Sequence, residues 1–208
     1  MTDWQAGLKI QYVVAAIVVL LIGRWILSRH KSSVPSSVVD IVDAALVATV
    51  LVFLVIRPFV FQAFYIPSES MYPTLRVHDR ILVNKLVYKL HDPQYGDVIV
   101  FRSPPGASNG DIEVYLIKRV IGKPRDVIAI KDGTVYRNGT PLQERYVLDE
   151  SRDYQMEATT VPPHSIWVMG DNRNNSCDSR MWGPLKEKYI IGKAILRFWP
   201  PNDFGLIR

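Results

Sequence analysis

The sequence predicts a mainly β protein: two apolar N-terminal helices long enough to span a membrane, then an antiparallel, partly closed β domain. Three observations lead there. Hydrophobic residues make up 48% of the 208, and most of the excess falls before residue 67. Beyond Leu75 the chain breaks into short β-branched or aromatic runs bounded by turn residues. Asp132-Gly133 and Asn138-Gly139 are strong two-residue hairpin signals.

Ile10 to Leu27 is apolar apart from Gln11 and Arg24. A crossing helix needs about 20 such residues, and an arginine near one end can snorkel. A cleaved signal peptide is the competing reading, but the run is long and no small-x-small site follows it. Ile41 to Ile56 is a second run, interrupted by Asp43 and closed by Arg57-Pro58. Phe59, Phe61, Phe64 and Tyr65 then read as an interfacial aromatic belt. Either run could instead be a buried core helix. Arg24, Arg29 and Lys31 place the linker on the cytoplasmic side by the positive-inside rule, with both termini outside. The expected organisation is a tail at 1–9, spans at 10–27 and 41–61, a cytoplasmic linker at 28–40, and an extracytoplasmic β domain at 62–208.

Within that domain, strands are expected over Arg80–Asn84, Asp97–Arg102, Tyr115–Ile121, Asp126–Lys131, Thr134–Arg137, Ser165–Met169 and Lys193–Trp199. No long helical period is evident after residue 90. Roughly 140 residues suffice to bury a real core.

The formal charge of +5 suits an anionic lipid surface or an acidic partner. Nucleic acid is disfavoured, because Lys and Arg are scattered rather than clustered on one readable helix. Cys177 is the single cysteine, so neither an internal disulfide nor a multi-thiolate metal site is available. No metal and no cofactor is expected.

Chemistry is concentrated in three segments. Ile66 to Leu75, I-P-S-E-S-M-Y-P-T-L, has two prolines bracketing two serines. Proline removes a backbone donor and fixes φ, so the segment is held open and can show a hydroxyl and a backbone N–H to one target. Alone, it reads equally as a turn. Tyr115 to Val120 puts Lys118 on the strand face of Leu116 and Val120. An ammonium there loses hydration; lowering its pKa from about 10.4 to around 8 costs roughly 3 kcal/mol. A neutral lysine beside a serine is a competent general base, whereas a lysine on a surface strand simply snorkels. Arg119, on the opposite face, is expected to be solvated. The third segment, Gly170 to Arg180, reads as a polar loop that an Asp178–Arg180 pair could stiffen. A calcium loop fails, since Arg173 stands where an oxygen ligand is needed.

Together these segments resemble the bacterial type I signal peptidases, or leader peptidases. The resemblance runs from I-R-P-F-V-F-Q-A-F-Y-I-P-S-E-S-M-Y-P-T-L through Y-G-D-V-I-V-F and Y-L-I-K-R-V-I-G to G-D-N-R-N-N-S-C-D-S-R-M-W-G. It implies a membrane-bound serine endopeptidase of the inner membrane that removes signal peptides from secretory preproteins near the translocon. By motif position, Ser70 is the implied nucleophile and Lys118 its base. Ser68 joins the Ser70 N–H in the oxyanion hole, Ser176 orients the lysine, and Asp178 and Arg180 buttress the loop. Asp171, Asn172 and Arg173 are support. Ile66, Pro67, Met71, Leu75 and Leu116 would line the pocket for position −1, and Phe64, Ile66, Ile81 and Ile117 that for −3; each could equally be ordinary β core. The Lys118–Gly170 interval is short, so a reduced second β lobe is expected. Lys123-Pro124-Arg125-Asp126 stands where the family often has Leu-Pro-Gly-Asp.

Other readings have their own features. Gly106-Ala-Ser-Asn-Gly110 matches the hydrolase elbow pattern but leads into a strand rather than a helix. A Ser-His-Asp triad would recruit His78, His91 or His164. A Ser-Lys relative maturing a conjugation or pilus subunit shares the same motifs. A membrane-anchored β module could bind peptide without cutting it.

Overall fold

In the computed structural model of the chain, the described residues are 18–19, 21–25, 36–52, 60–107, 114–148 and 154–207. The chain divides into two compact units, Trp4–Gln62 and one containing Ala63–Arg208. In the first, residues 21–25 are helical and α1 runs Ser36–Val50. Arg24 and Asp43, a charge from each apolar run, pair with each other, with Nη2 3.0 Å from Oδ2. Among the described residues, no helix is long and apolar enough to cross a membrane. Much of the first expected span, and residues 53–59 of the second with Phe59, lie outside the described residues, as does the Ser108 part of the elbow-like loop.

The larger unit is mainly antiparallel β. Its strands are β1 (Phe61–Tyr65, begun in the first unit), β2 (Arg80–Asn84), β3 (Val98–Arg102), β4 (Tyr115–Gly122), β5 (Val127–Lys131), β6 (Thr134–Arg137) and β7 (Thr140–Pro141). They continue as β8 (Met156–Thr160), β9 (Ser165–Met169), β10 (Leu185–Lys186), β11 (Ile190–Trp199) and β12 (Gly205–Leu206). Two short helices, α2 (Val87–Leu90) and α3 (Ser179–Trp182), interrupt them. The main sheet has the order β1-β2-β11-β3-β4-β9-β10, with β12 on β11. A second sheet, β7-β6-β5-β8, forms the small lobe expected between Lys118 and Gly170. Its hairpins turn at Asp132-Gly133 (φ 50° and 77°) and Asn138-Gly139 (φ 54° and 80°). Positive φ at both turn residues matches the right-handed twist of the flanking strands.

Three apolar clusters fill the unit. The first joins Phe64, Ile66, Met71, Leu75, Ile81, Val83 and Ile117. The second links the sheets through Ile121, Ile128, Val135, Trp167 and Met169. The third, with Ile99, Phe101, Val120 and Val168, covers the other side of β3, β4 and β9. Those central strands are buried almost throughout, unlike β2, which alternates.

Two expectations change. Phe61 opens a strand rather than ending a span, and Phe64 in that strand is fully buried in the first cluster, not set at an interface. Arg119 is not solvated: with clusters on both sides of β4, its opposite face is interior, and the side chain is 1% exposed. Strands β8, β10 and β12 were not expected; two of them are two-residue pairings with no periodic signal. The Lys123–Asp126 turn closes without glycine. Arg125 itself adopts φ 74°, and Asp126 accepts from Lys123 N (2.7 Å), Tyr95 (2.9 Å) and Asn138 (2.8 Å).

At Gly192 in β11 a Cβ would lie 2.2 Å from the Asn84 carbonyl oxygen, against the β2 backbone. Gly192→Ala should therefore lower stability by about 1–3 kcal/mol, the usual cost of overpacking, read as a lower unfolding midpoint.

Candidate active site

Ser70 is placed by its neighbours in sequence. Met71 and Leu75 are fully buried in the first cluster, and Leu75 N donates to Met71 O at 2.9 Å, making one helical turn. Pro67 and Pro73 keep that turn from growing into a helix or a strand. Paired backbone bonds close its base: Ile66 N to Asp79 O and His78 N to Ile66 O, both 2.9 Å. Asp79 is held by Arg197 at 3.1 Å. The serine is thus fixed from below while Pro67, Ser68 and Glu69 stay exposed.

Lys118 comes from β4, 48 residues away. Its Nζ lies 2.8 Å from Ser70 Oγ and donates to Ile117 O at 2.9 Å. The lysine is 3% exposed. Burial pushes its amine down to about 8, against the attraction of Asp178, Cys177 and Asp171, and Arg180 pushes the same way as burial. A fraction of the amine is therefore neutral near physiological pH, and its lone pair can accept the Ser70 hydroxyl proton.

Ser68 Oγ is 3.4 Å from Ser70 Oγ. Among the described residues, the Ser70 backbone N–H meets no acceptor. The two groups stand beside the Ser70 hydroxyl as available donors.

The loop after β9 is locked against the serine turn. Asn172 N donates to Ser70 O at 3.1 Å, and Thr74 Oγ1 to Asp171 Oδ2 at 2.5 Å. Asp171 also takes Arg119 Nε (2.8 Å) and Nη2 (2.6 Å). Asp178, fully buried, accepts from Gly170 N at 3.0 Å and from Arg180 Nε and Nη2 at 2.8 and 2.9 Å. The pair expected from spacing is present, and the carboxylate also caps α3 through Arg180 N. Among the described residues, Ser176 Oγ is buried without a hydrogen-bond partner, while the lysine amine is engaged by Ser70 and Ile117. The expected Ser176–Lys118 bond is not formed. Cys177 is exposed.

Six of the eight candidate pocket residues, Phe64, Ile66, Met71, Leu75, Ile81 and Ile117, share the first cluster. Pro67 is exposed, and Leu116 packs in the third cluster, because adjacent strand residues face opposite ways. None of His78, His91 or His164 bonds to Ser70, and all three are exposed.

The family model described as "Signal peptidase, peptidase S26" matches residues 38–199. The chain belongs to this family. It is 44% identical over 181 residues to a probable signal peptidase I-1 of Synechocystis sp., covering 85% of this chain and 91% of that protein. It is 46% identical over 159 residues to a signal peptidase I of Leptolyngbya laminosa, covering 76% and 78%. A signal peptidase I from Enterococcus faecalis of known structure is 32% identical, with a TM-score of 0.41, covering 50% of this chain and 97% of that one. As a member of the family, the chain is a serine endopeptidase.

Several site residues carry little signal in the sequence. Arg119 follows Lys118 in an otherwise apolar strand, and burial on both faces was the available clue. Gly170 has a steric role: a Cβ there would lie 2.2 Å from Ser176 Oγ and 2.4 Å from Ser70 O. Gly170→Ala should consequently separate the loop from the serine turn and cut the turnover number by roughly 100-fold, as small misplacements do, with the protein still folded by circular dichroism. The depressed Lys118 pKa has a further consequence. Below about 8 the folded state holds a buried ammonium, and the penalty fades as pH rises toward the unfolded value of about 10.5. Lys118→Met should raise stability at pH 6 by up to about 3 kcal/mol, with the gain shrinking above pH 8, in denaturant titrations at both pH values.

Proposed function

We propose that this peptidase removes signal peptides from secretory preproteins after a small-x-small site, with Ser70 as nucleophile and Lys118 as general base. The observation that carries the reading is the 2.8 Å approach of a buried lysine amine to a serine hydroxyl. The neutral amine takes the Ser70 proton as Oγ attacks the scissile carbonyl. Negative charge then builds on the carbonyl oxygen, where the Ser70 N–H and Ser68 hydroxyl serve as donors; one such donor is typically worth about 3–4 kcal/mol of barrier. Lys118 passes its proton to the leaving amine, and the signal peptide remains as an acyl ester on Ser70. Water, deprotonated by the same amine, cleaves the ester and restores the serine.

An extended substrate buries alternate side chains, so positions −1 and −3 enter neighbouring pockets. Ile66, Pro67, Met71 and Leu75 would bound the first, and Phe64, Ile66, Ile81 and Ile117 the second. Close packing among Phe64, Ile66, Met71, Leu75, Ile81 and Ile117 supports the preference for small side chains. The apolar runs Ile10–Leu27 and Ile41–Ile56 fit two anchors that hold the β domain on the extracytoplasmic side of the inner membrane, near the translocon. The pairing of Arg24 with Asp43 supports their insertion, since it neutralises the charges the two runs carry. Ser176, Asp178 and Arg180 support the loop that follows β9.

Purified protein in detergent, given a secretory preprotein, should yield a mature product whose N-terminus follows a small-x-small site. Ser70→Ala and Lys118→Ala should each reduce cleavage on the order of 10⁴-fold. The rate of the wild type should rise with an acid limb near 8, where Lys118 loses its proton, and fall about tenfold per unit below it. A limb near 10, or cleavage retained by Lys118→Ala, excludes the lysine as base.

A further inference from the structure

Beside the 170–180 loop lies a second charged centre that the proposed chemistry does not use directly. Glu144, in the segment after β7, is buried and receives both terminal nitrogens of Arg173 at 2.6 Å. Tyr146 donates to the same carboxylate at 2.7 Å, and the Arg119 guanidinium sits 4.1 Å over the Tyr146 ring. Arg173 in turn donates from Nε to Gly170 O at 3.1 Å, and its carbonyl accepts Arg180 Nη2 at 2.8 Å. Three buried guanidinium–carboxylate pairs therefore converge on one loop: Arg119–Asp171, Arg173–Glu144 and Arg180–Asp178. Five of the six partners lie in β4 or the loop itself. Glu144 alone comes from the segment bordering the second lobe.

We infer that Glu144 is a positioning residue: by balancing the buried Arg173 cation it holds the 170–180 loop, and through it the Ser70–Lys118 contact, in register. The inference rests on the Ser70–Lys118 reading of the site. Burial works against the Arg173 cation, and the hydrogen bonds and charge of Glu144 outweigh it, holding the guanidinium above its ordinary value. Asp178 is the next carboxylate whose charge Arg173 feels. Without Glu144, Arg173 competes with Arg180 for Asp178, the carboxylate that caps Gly170 N and most favours the Lys118 ammonium. The charges acting on Lys118 are Asp178, Asp171 and Cys177 on one side and Arg180 on the other. Diverting Asp178 and leaving one surplus positive charge both disfavour the ammonium, so the acid limb must move to lower pH.

Glu144→Gln keeps the shape and removes the charge. With the full chain in detergent and a secretory preprotein, it should lower kcat by roughly tenfold or more while KM stays within about twofold, because misplacement acts on the chemical step. Its acid limb should lie below that of the wild type. Glu144→Gln/Arg173→Met, with neither charge left alone, should return the limb to its wild-type position with kcat still reduced. An unmoved limb in folded Glu144→Gln overturns the inference, whether or not kcat or the melting temperature falls. If Glu144→Gln does not fold, the double variant decides: reduced kcat at the wild-type limb supports the role, and wild-type kcat overturns it. Lys118→Ala in the same assay separates the two readings. Cleavage retained there removes the lysine base itself; cleavage lost there but intact in Glu144→Gln removes only the positioning role.

Discussion

A single buried amine next to a single hydroxyl is the constraint the larger unit is built to satisfy. Lys118 and Ser70 are 48 residues apart, and both are nearly excluded from solvent. In water the lysine would be almost wholly protonated at neutral pH; in the interior, lost hydration lowers its pKa toward the range the proposed base role needs. The fold carries that cost because β4 is central, with apolar side chains on both sides. An edge strand would have let the same lysine reach water and stay charged.

Bringing the serine to that strand takes a different device. The turn at Ser70 has little regular structure of its own, so it is anchored through Met71 and Leu75, whose burial fixes the hydroxyl to within the reach of a hydrogen bond. Pro67, Ser68 and Glu69 on its N-terminal side stay exposed. The loop after β9 then presses against the serine carbonyl, and glycine at 170 is what permits so close an approach.

Around the Ser70–Lys118 contact, three ion pairs balance the charges of the neighbouring loop. Each carboxylate is met by a planar guanidinium, and all three arginines bond through two nitrogens. Buried pairs of this kind contribute little net stability, since desolvation offsets attraction, but removing one partner strands the other. They suit a loop that must be held in one place more than they suit a stability requirement. Glu144 ties that loop to the segment beside the second sheet, which gives the small lobe a connection to the chemistry.

The sequence by itself determined the strands with strong local patterns, the two Asp-Gly and Asn-Gly hairpins, and the three motifs that contain Ser70, Lys118 and the Asp178–Arg180 pair. Those features are local: alternation, turn chemistry and spacing are written within a few residues. The separation of Leu116 from Ile117 also followed from strand alternation, although the motif alignment had placed both at the substrate pockets. Only the tertiary structure decided the fate of Arg119, Glu144 and Gly170. Whether a charged side chain meets water or a partner depends on what covers its strand, and a steric requirement at glycine depends on which backbone arrives from elsewhere. β10 and β12 were illegible for the same reason, being two-residue pairings that exist because a longer strand lies alongside.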